Sequence, residues 1–162
     1  MSAAARRGPP PLAPFGLVLH HDGRWSHEGQ PIANRKLREH FDRSVRFLPA
    51  EGERGKFVVT LQHFRGEIEV EEAAFFVRSV DLGRGRVRLS DRSTDALDVA
   101  SLRPSPIDGA LLCTVKRDLV PGGLAARFTH AAQAELLQAV DARGDGFEVR
   151  VAGASVPLPD LV

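Results

Sequence analysis

The chain has 162 residues, 43% of them hydrophobic, enough apolar material for one ordinary domain or for two small lobes sharing a core. Its 22 Lys and Arg against 21 Asp and Glu leave it near neutral, so no global positive field draws it to nucleic acid or to an anionic membrane. A single cysteine, Cys113, excludes an intramolecular disulfide framework.

Met1 to Pro14 is rich in Ala, Arg and Pro, and Pro9-Pro10-Pro11 favours an extended, solvated backbone, so residues 1–14 read as a disordered tail. The apolar run Phe15 to Leu19 is too short for a secretory core, and no run approaches the ~18 apolar residues of a membrane span. A cytoplasmic protein with no membrane insertion is the expectation. Phe15, Leu17 and Leu19 alternate toward an Asp22-Gly23 turn with Arg24-Trp25-Ser26-His27 beyond it, the pattern of a short hairpin. Pro31 then suits a first helical turn, and Leu37, Phe41, Val45 and Leu48 form one apolar stripe, predicting a helix that ends before Pro49. Its other face is basic, with Glu39 and Arg43 in the favourable order for an i,i+4 pair.

From Lys56 to about Asp91 the period becomes two, predicting four strands in a meander, with turns at Phe64-Arg65-Gly66 and Gly83-Arg84-Gly85. Further strands are expected near Ala96 to Leu102 and Leu111 to Leu119, around the turn-rich stretch from Arg103 to Gly109. After Pro121-Gly122-Gly123, the residues Leu124, Phe128, Leu136, Leu137 and Val140 suggest a second, Ala-rich helix that ends at Gly144 or Gly146. Phe147, Val149 and Val151 lead through a Gly153 turn to Val156 and Leu158, a closing hairpin. The order implies an α+β fold built on an antiparallel sheet with two packed helices.

No catalytic constellation emerges. His20, His21 and His27 flank the first turn, but zinc needs three or four converging ligands and no fourth is evident, so no metal or cofactor is expected. Glu67, Glu69, Glu71 and Glu72 alternate with apolar residues as a solvated sheet face does. Cys113 sits in an alternating apolar run and reads as a core residue. The basic helix face lacks interleaved aromatics to stack bases, so nucleic acid is not the expected partner. Gly122-Gly123 before a helix could cradle an anion through free N–H groups.

Asp22, Gly23, Trp25, Gly29, Pro31 and Ile32, the run Ile68-Glu69-Val70-Glu71, and Gly122-Gly123-Leu124 with Ala126 and Arg127 together resemble the bacterial domain-of-unknown-function family 1285, from about Leu19 to Leu158. The chain departs from the family's pattern at Thr60-Leu61 and at Glu72-Ala73-Ala74-Phe75, where prolines are usual, and in its ending at Gly146-Phe147-Glu148-Val149. The resemblance implies two similar α+β lobes, each with one helix, the second lobe loosely like a pleckstrin-homology barrel, and a role in signal transduction with no established reaction. The expected organisation is therefore a tail (1–14), a first lobe (15–82) and a second lobe (83–162). The expected function is a non-enzymatic regulatory or binding module. It would take a small ligand or protein partner between its lobes, near Trp25, Pro31, Ile32, Gly122 and Gly123. The alternatives are a hydrolase using His27 or His130 with Asp22 or an acidic strand residue, nucleic-acid binding through the first helix, and a homodimer formed by an edge strand or the second helix.

Overall fold

In the computed structural model, which describes residues 12–161, β1 (Ala13–Leu19) buries Leu17 and Leu19 and pairs antiparallel with β2 (Trp25–His27) across the Asp22-Gly23 turn. Most of the expected tail lies outside the described residues, but its last two residues, Ala13 and Pro14, belong to β1. Gly23 takes φ 88° there and the Asp22 carboxylate accepts from the Arg24 N–H at 3.1 Å, which closes the expected hairpin.

Pro31 is not in a helix. It lies in the short edge strand β3 (Gln30–Pro31), where a missing N–H breaks no ladder bond. The helix α1 (Arg35–Ser44) starts only at Asn34, whose side chain accepts from the Leu37 N–H at 3.0 Å and caps it. It ends at Val45, so Leu48 falls in β4 (Arg46–Leu48) and the stripe read as one helix is shared by a helix and a strand.

All four strands of the period-two region form: β5 (Lys56–Leu61), β6 (Phe64–Val70), β7 (Phe75–Asp81) and β8 (Arg86–Leu89). They are not one meander. β6 turns away to pair in parallel with β1, and β7 pairs in parallel with a later strand, so the sheet breaks between Val70 and Phe75, ahead of the Gly83 turn. The turn before β6 is Gln62-His63; Phe64-Arg65-Gly66 lies inside the strand. The chain continues through β9 (Thr94–Ala96), a 3-10 turn (Val99–Ser101), β10 (Arg103–Pro104) and β11 (Leu111–Val115).

Leu124 to Phe128, read as helix, forms the strand β12 (Leu124–Phe128). β12 sits between β11 and β7, so both of its edges are hydrogen-bonded, and this tertiary pairing overrides the helix propensity of its alanines. The helix α2 (His130–Gln138) begins one residue later, capped by Thr129, whose hydroxyl accepts from the Ala132 N–H at 3.2 Å. It stops at Ala139, before β13 (Val140–Arg143), which β14 (Gly146–Val151) and β15 (Ala154–Pro157) extend into a three-stranded sheet that includes the expected closing hairpin.

The two six-stranded sheets have one topology. The first runs β3-β2-β1-β6-β5-β4 and the second β9-β8-β7-β12-β11-β10, each a pair of three-stranded meanders joined by one central parallel pair. The helical element inside the first repeat is α1, and the 3-10 turn occupies the same place in the second. Each lobe carries one helix, as expected, but α2 follows its sheet and packs on β7 instead of interrupting it. The architecture is α+β with two similar sheets, and a continuous apolar core joins them, for example through Phe57 and Phe75, whose ring centroids are 6.3 Å apart.

Candidate functional site

Trp25 is 1% exposed. Its ring lies 5.3 Å from that of Phe41, and its Nε1–H donates to the Asp42 carboxylate at 2.8 Å, an arrangement that anchors α1 to the first sheet. Ile32 sits beside it through an Ile32 N–H to Trp25 carbonyl bond of 2.9 Å, and Pro31 is exposed on the sheet edge. Gly122 and Gly123 lie elsewhere, at the tip of the β11–β12 hairpin, before a strand and not before a helix. The amide cradle of a helix N-terminus is therefore missing at that turn. The five residues divide between the first sheet and that distant turn, and none lines the grooves described below.

Polar groups do converge where the two sheets meet. His20 Nδ1 lies 3.1 Å and His21 Nδ1 2.5 Å from the two oxygens of Glu71, in the segment that links β6 to β7. His21 Nε2 is 3.8 Å from Asp108, which accepts from the Arg127 guanidinium at 2.5 and 3.0 Å. Arg127 also donates to Glu72 at 3.3 Å, and the Ser105 hydroxyl donates to Glu72 at 2.6 Å. Arg127 is buried, so its charge has to be paired, and the carboxylates at the junction pair it. Bonds from Arg127 hold the Asp108 carboxyl down at about 2, and the His20 bond lowers that of Glu71. The row of glutamates read as a single solvated face thus splits, because Glu71 and Glu72 leave the strand to tie the lobes together.

Within this network Ser26 Oγ lies 2.8 Å from His20 Nε2, so Ser26, His20 and Glu71 are in the order of a nucleophile, a base and an orienting carboxylate. Ser26 is 8% exposed in the middle of β2, and Glu71 is shared with His21. His27 and His130 are outside the network. Among the described residues no three His, Cys, Asp or Glu side chains are grouped to hold a metal. Cys113 is buried in the core, and burial pushes its thiol up to about 12.

An accessible groove of about 510 Å³ lies between α1 of the first lobe and β7–β8 of the second, lined by Glu39, Arg43, Arg78, Arg88, Leu89, Ser90 and Arg92. Each arginine arrives by a different device. On α1, Glu39 bonds Arg35 at 2.9 Å and not Arg43, the partner expected from the sequence, which leaves Arg43 to face the groove. Arg78 is the extra residue of a β-bulge, since Val77 pairs with Leu89 and Ser79 with Arg88; the bulge turns its guanidinium to Asp42, 2.9 Å away. Burial raises the Asp42 carboxyl above its ordinary range, against the bonds from Trp25 and Arg78. Arg88 points outward because Val87 and Leu89 on either side are buried.

Arg92 sits in the Ser90–Ser93 turn with φ 70°, a left-handed conformation usual for Gly or Asn. The turn is pinned from below. Lys116 Nζ, 4.7 Å over the Phe75 ring, donates to Asp91 at 2.8 Å and to Ser93 at 3.2 Å. Burial would raise the Asp91 carboxyl, but the Lys116 and Ser93 bonds outweigh it and leave it lowered. Among the described residues, the guanidinium groups of Arg43, Arg88 and Arg92 have no hydrogen-bond or ion-pair partner. Of this groove the sequence shows only the basic face of the first helix, which carries Arg43; the other arginines come from separated segments and are not legible together.

No family model matches the sequence, and no curated protein matches it. Among solved structures the chain is similar to a DUF1285 family protein from Silicibacter pomeroyi, with a TM-score of 0.60 and 18% identity over 94% of this chain and 88% of that one. A DUF1285 family protein from Shewanella baltica gives a TM-score of 0.47 and 10% identity over 77% of this chain and 91% of the other. The resemblance carried by the Asp22-Gly23, Trp25 and Pro31-Ile32 segment is thus upheld in the backbone architecture: the chain has the α+β fold of the Silicibacter DUF1285 family protein.

Proposed function

We propose that the protein is a non-enzymatic binding module that takes a phosphorylated ligand in the groove between its lobes. The observation that carries this reading is the convergence of Arg43, Arg88 and Arg92, none of them ion-paired among the described residues, on one groove of a chain whose formal net charge is only +1. Like charges held together cost free energy that an anion relieves, and the planar guanidinium fork matches phosphate oxygens in pairs. The groove joins an element of each lobe, so an occupant would bridge them, which suits a regulatory role. Calorimetric titration with orthophosphate tests the reading. Arg88→Ala should weaken binding about tenfold, the loss expected for one charge-assisted hydrogen-bonding group, with an unchanged thermal midpoint. Equal affinity in wild type and variant would sink it.

A further inference from the structure

The basic face does not end at the groove. Beside it on β7–β9 lies a second depression of about 390 Å³, whose lining includes Arg84, Arg86, Thr94 and again Arg88, so one side chain borders both. Arg86 and Arg88 stand on the same outward face of β8, about 6.6 Å apart along the strand. Among the described residues Arg86 has one side-chain hydrogen bond, to the neutral Thr94 hydroxyl at 3.3 Å, while Asp81, opposite it across the strands, meets Arg84 at 3.9 Å, and most of the Arg84 side chain is in solvent. Among the described residues neither lining contains an aromatic ring on which a base could stack.

We infer that the ligand is a linear chain of consecutive phosphoryl groups without a nucleobase, lying along β8 so that one phosphoryl group fills the groove and the next ones meet Arg86 and Arg84. The inference rests on the phosphate reading of the groove and adds that the site extends through Arg88. The second depression then contributes only to ligands long enough to enter it, as a second binding step at high effective concentration.

The test is titration of the full chain with orthophosphate, with inorganic polyphosphate long enough to span both depressions, and with a single-stranded oligonucleotide of equal charge. Polyphosphate should bind at least tenfold more tightly than orthophosphate. Arg86→Ala should lower polyphosphate affinity about tenfold while leaving orthophosphate affinity unchanged, whereas Arg88→Ala should weaken both. If orthophosphate binds through Arg88 but Arg86→Ala changes nothing, the extension along β8 is overturned and the groove reading stands. If neither phosphate ligand binds, both fall. An oligonucleotide that binds more tightly than polyphosphate would overturn the choice of ligand in favour of nucleic acid.

Discussion

Arg92 adopts φ 70° in a turn already held by the Asp91, Ser93 and Lys116 bonds, so its side chain is not what keeps the turn closed. A side chain in the left-handed region costs roughly 1–2 kcal/mol, while a glycine there loses about 0.5–1 kcal/mol through the freedom it adds to the unfolded chain. Arg92→Gly should therefore stabilise the protein by about 0.5–1 kcal/mol in urea unfolding and at the same time weaken orthophosphate binding several-fold. A variant that loses stability as well would show that the arginine is holding the fold. Little of this was legible in the sequence. Arg43 stands on the basic face of the first helix, but Arg78, Arg88 and Arg92 are unremarkable in their own neighbourhoods, and the convergence of the four depends on a helix, a bulge and a turn that no local pattern reports together. Trp25, expected beside a ligand held between the lobes, is buried and hydrogen-bonded to Asp42, and so it pins α1 to the first sheet.

At the scale of elements, hydrophobic period located strands well and pairings poorly. The alternation from Lys56 to Leu89 gave four real strands, because a half-buried strand must alternate wherever its partners lie. Which strands pair was not legible, since the parallel pairs β1–β6 and β7–β12 join segments distant in sequence. The start of the second helix is misread for a different reason: Ala126, Arg127 and Phe128 are buried on both faces of β12, so its residues carry no strand alternation. The turn before it can be tested directly. Gly123 has φ 68°, and a Cβ there would collide with the Thr114 side chain and stand 2.9 Å from the Val115 carbonyl oxygen, whereas nothing lies within 4 Å at Gly122. Gly123→Ala should cost roughly 2 kcal/mol or more in denaturant unfolding, and Gly122→Ala less than about 1 kcal/mol, both without effect on phosphate affinity. Loss of binding in the Gly122 variant would return that turn to the site.

The whole molecule repeats one sheet topology twice, and the divergence of the copies explains why the repeat is invisible in the sequence: a helix in the first repeat is reduced to a 3-10 turn in the second. Besides the shared core, the copies are tied by the Arg78–Asp42 pair and by the polar junction of His20, His21, Glu71, Glu72, Asp108 and Arg127. This junction fixes how stability depends on acid. Both Glu71 and Asp108 ionise more readily in the folded protein than in an unfolded chain, so their contribution is complete above the ordinary carboxylate range and is lost as the pH falls. For Asp108 the window runs from its ordinary 3.8 down to about 2. Asp108→Asn should lower the thermal midpoint at neutral pH, because the buried Arg127 keeps only Glu72 as a charged partner. The gap between the wild-type and variant midpoints should then narrow as the pH is lowered through that window, since protonation makes the wild-type group neutral as well. Midpoints measured at intervals across the window decide the matter: two curves that stay parallel would mean that the ionised Asp108 adds nothing to stability through its pairing with Arg127.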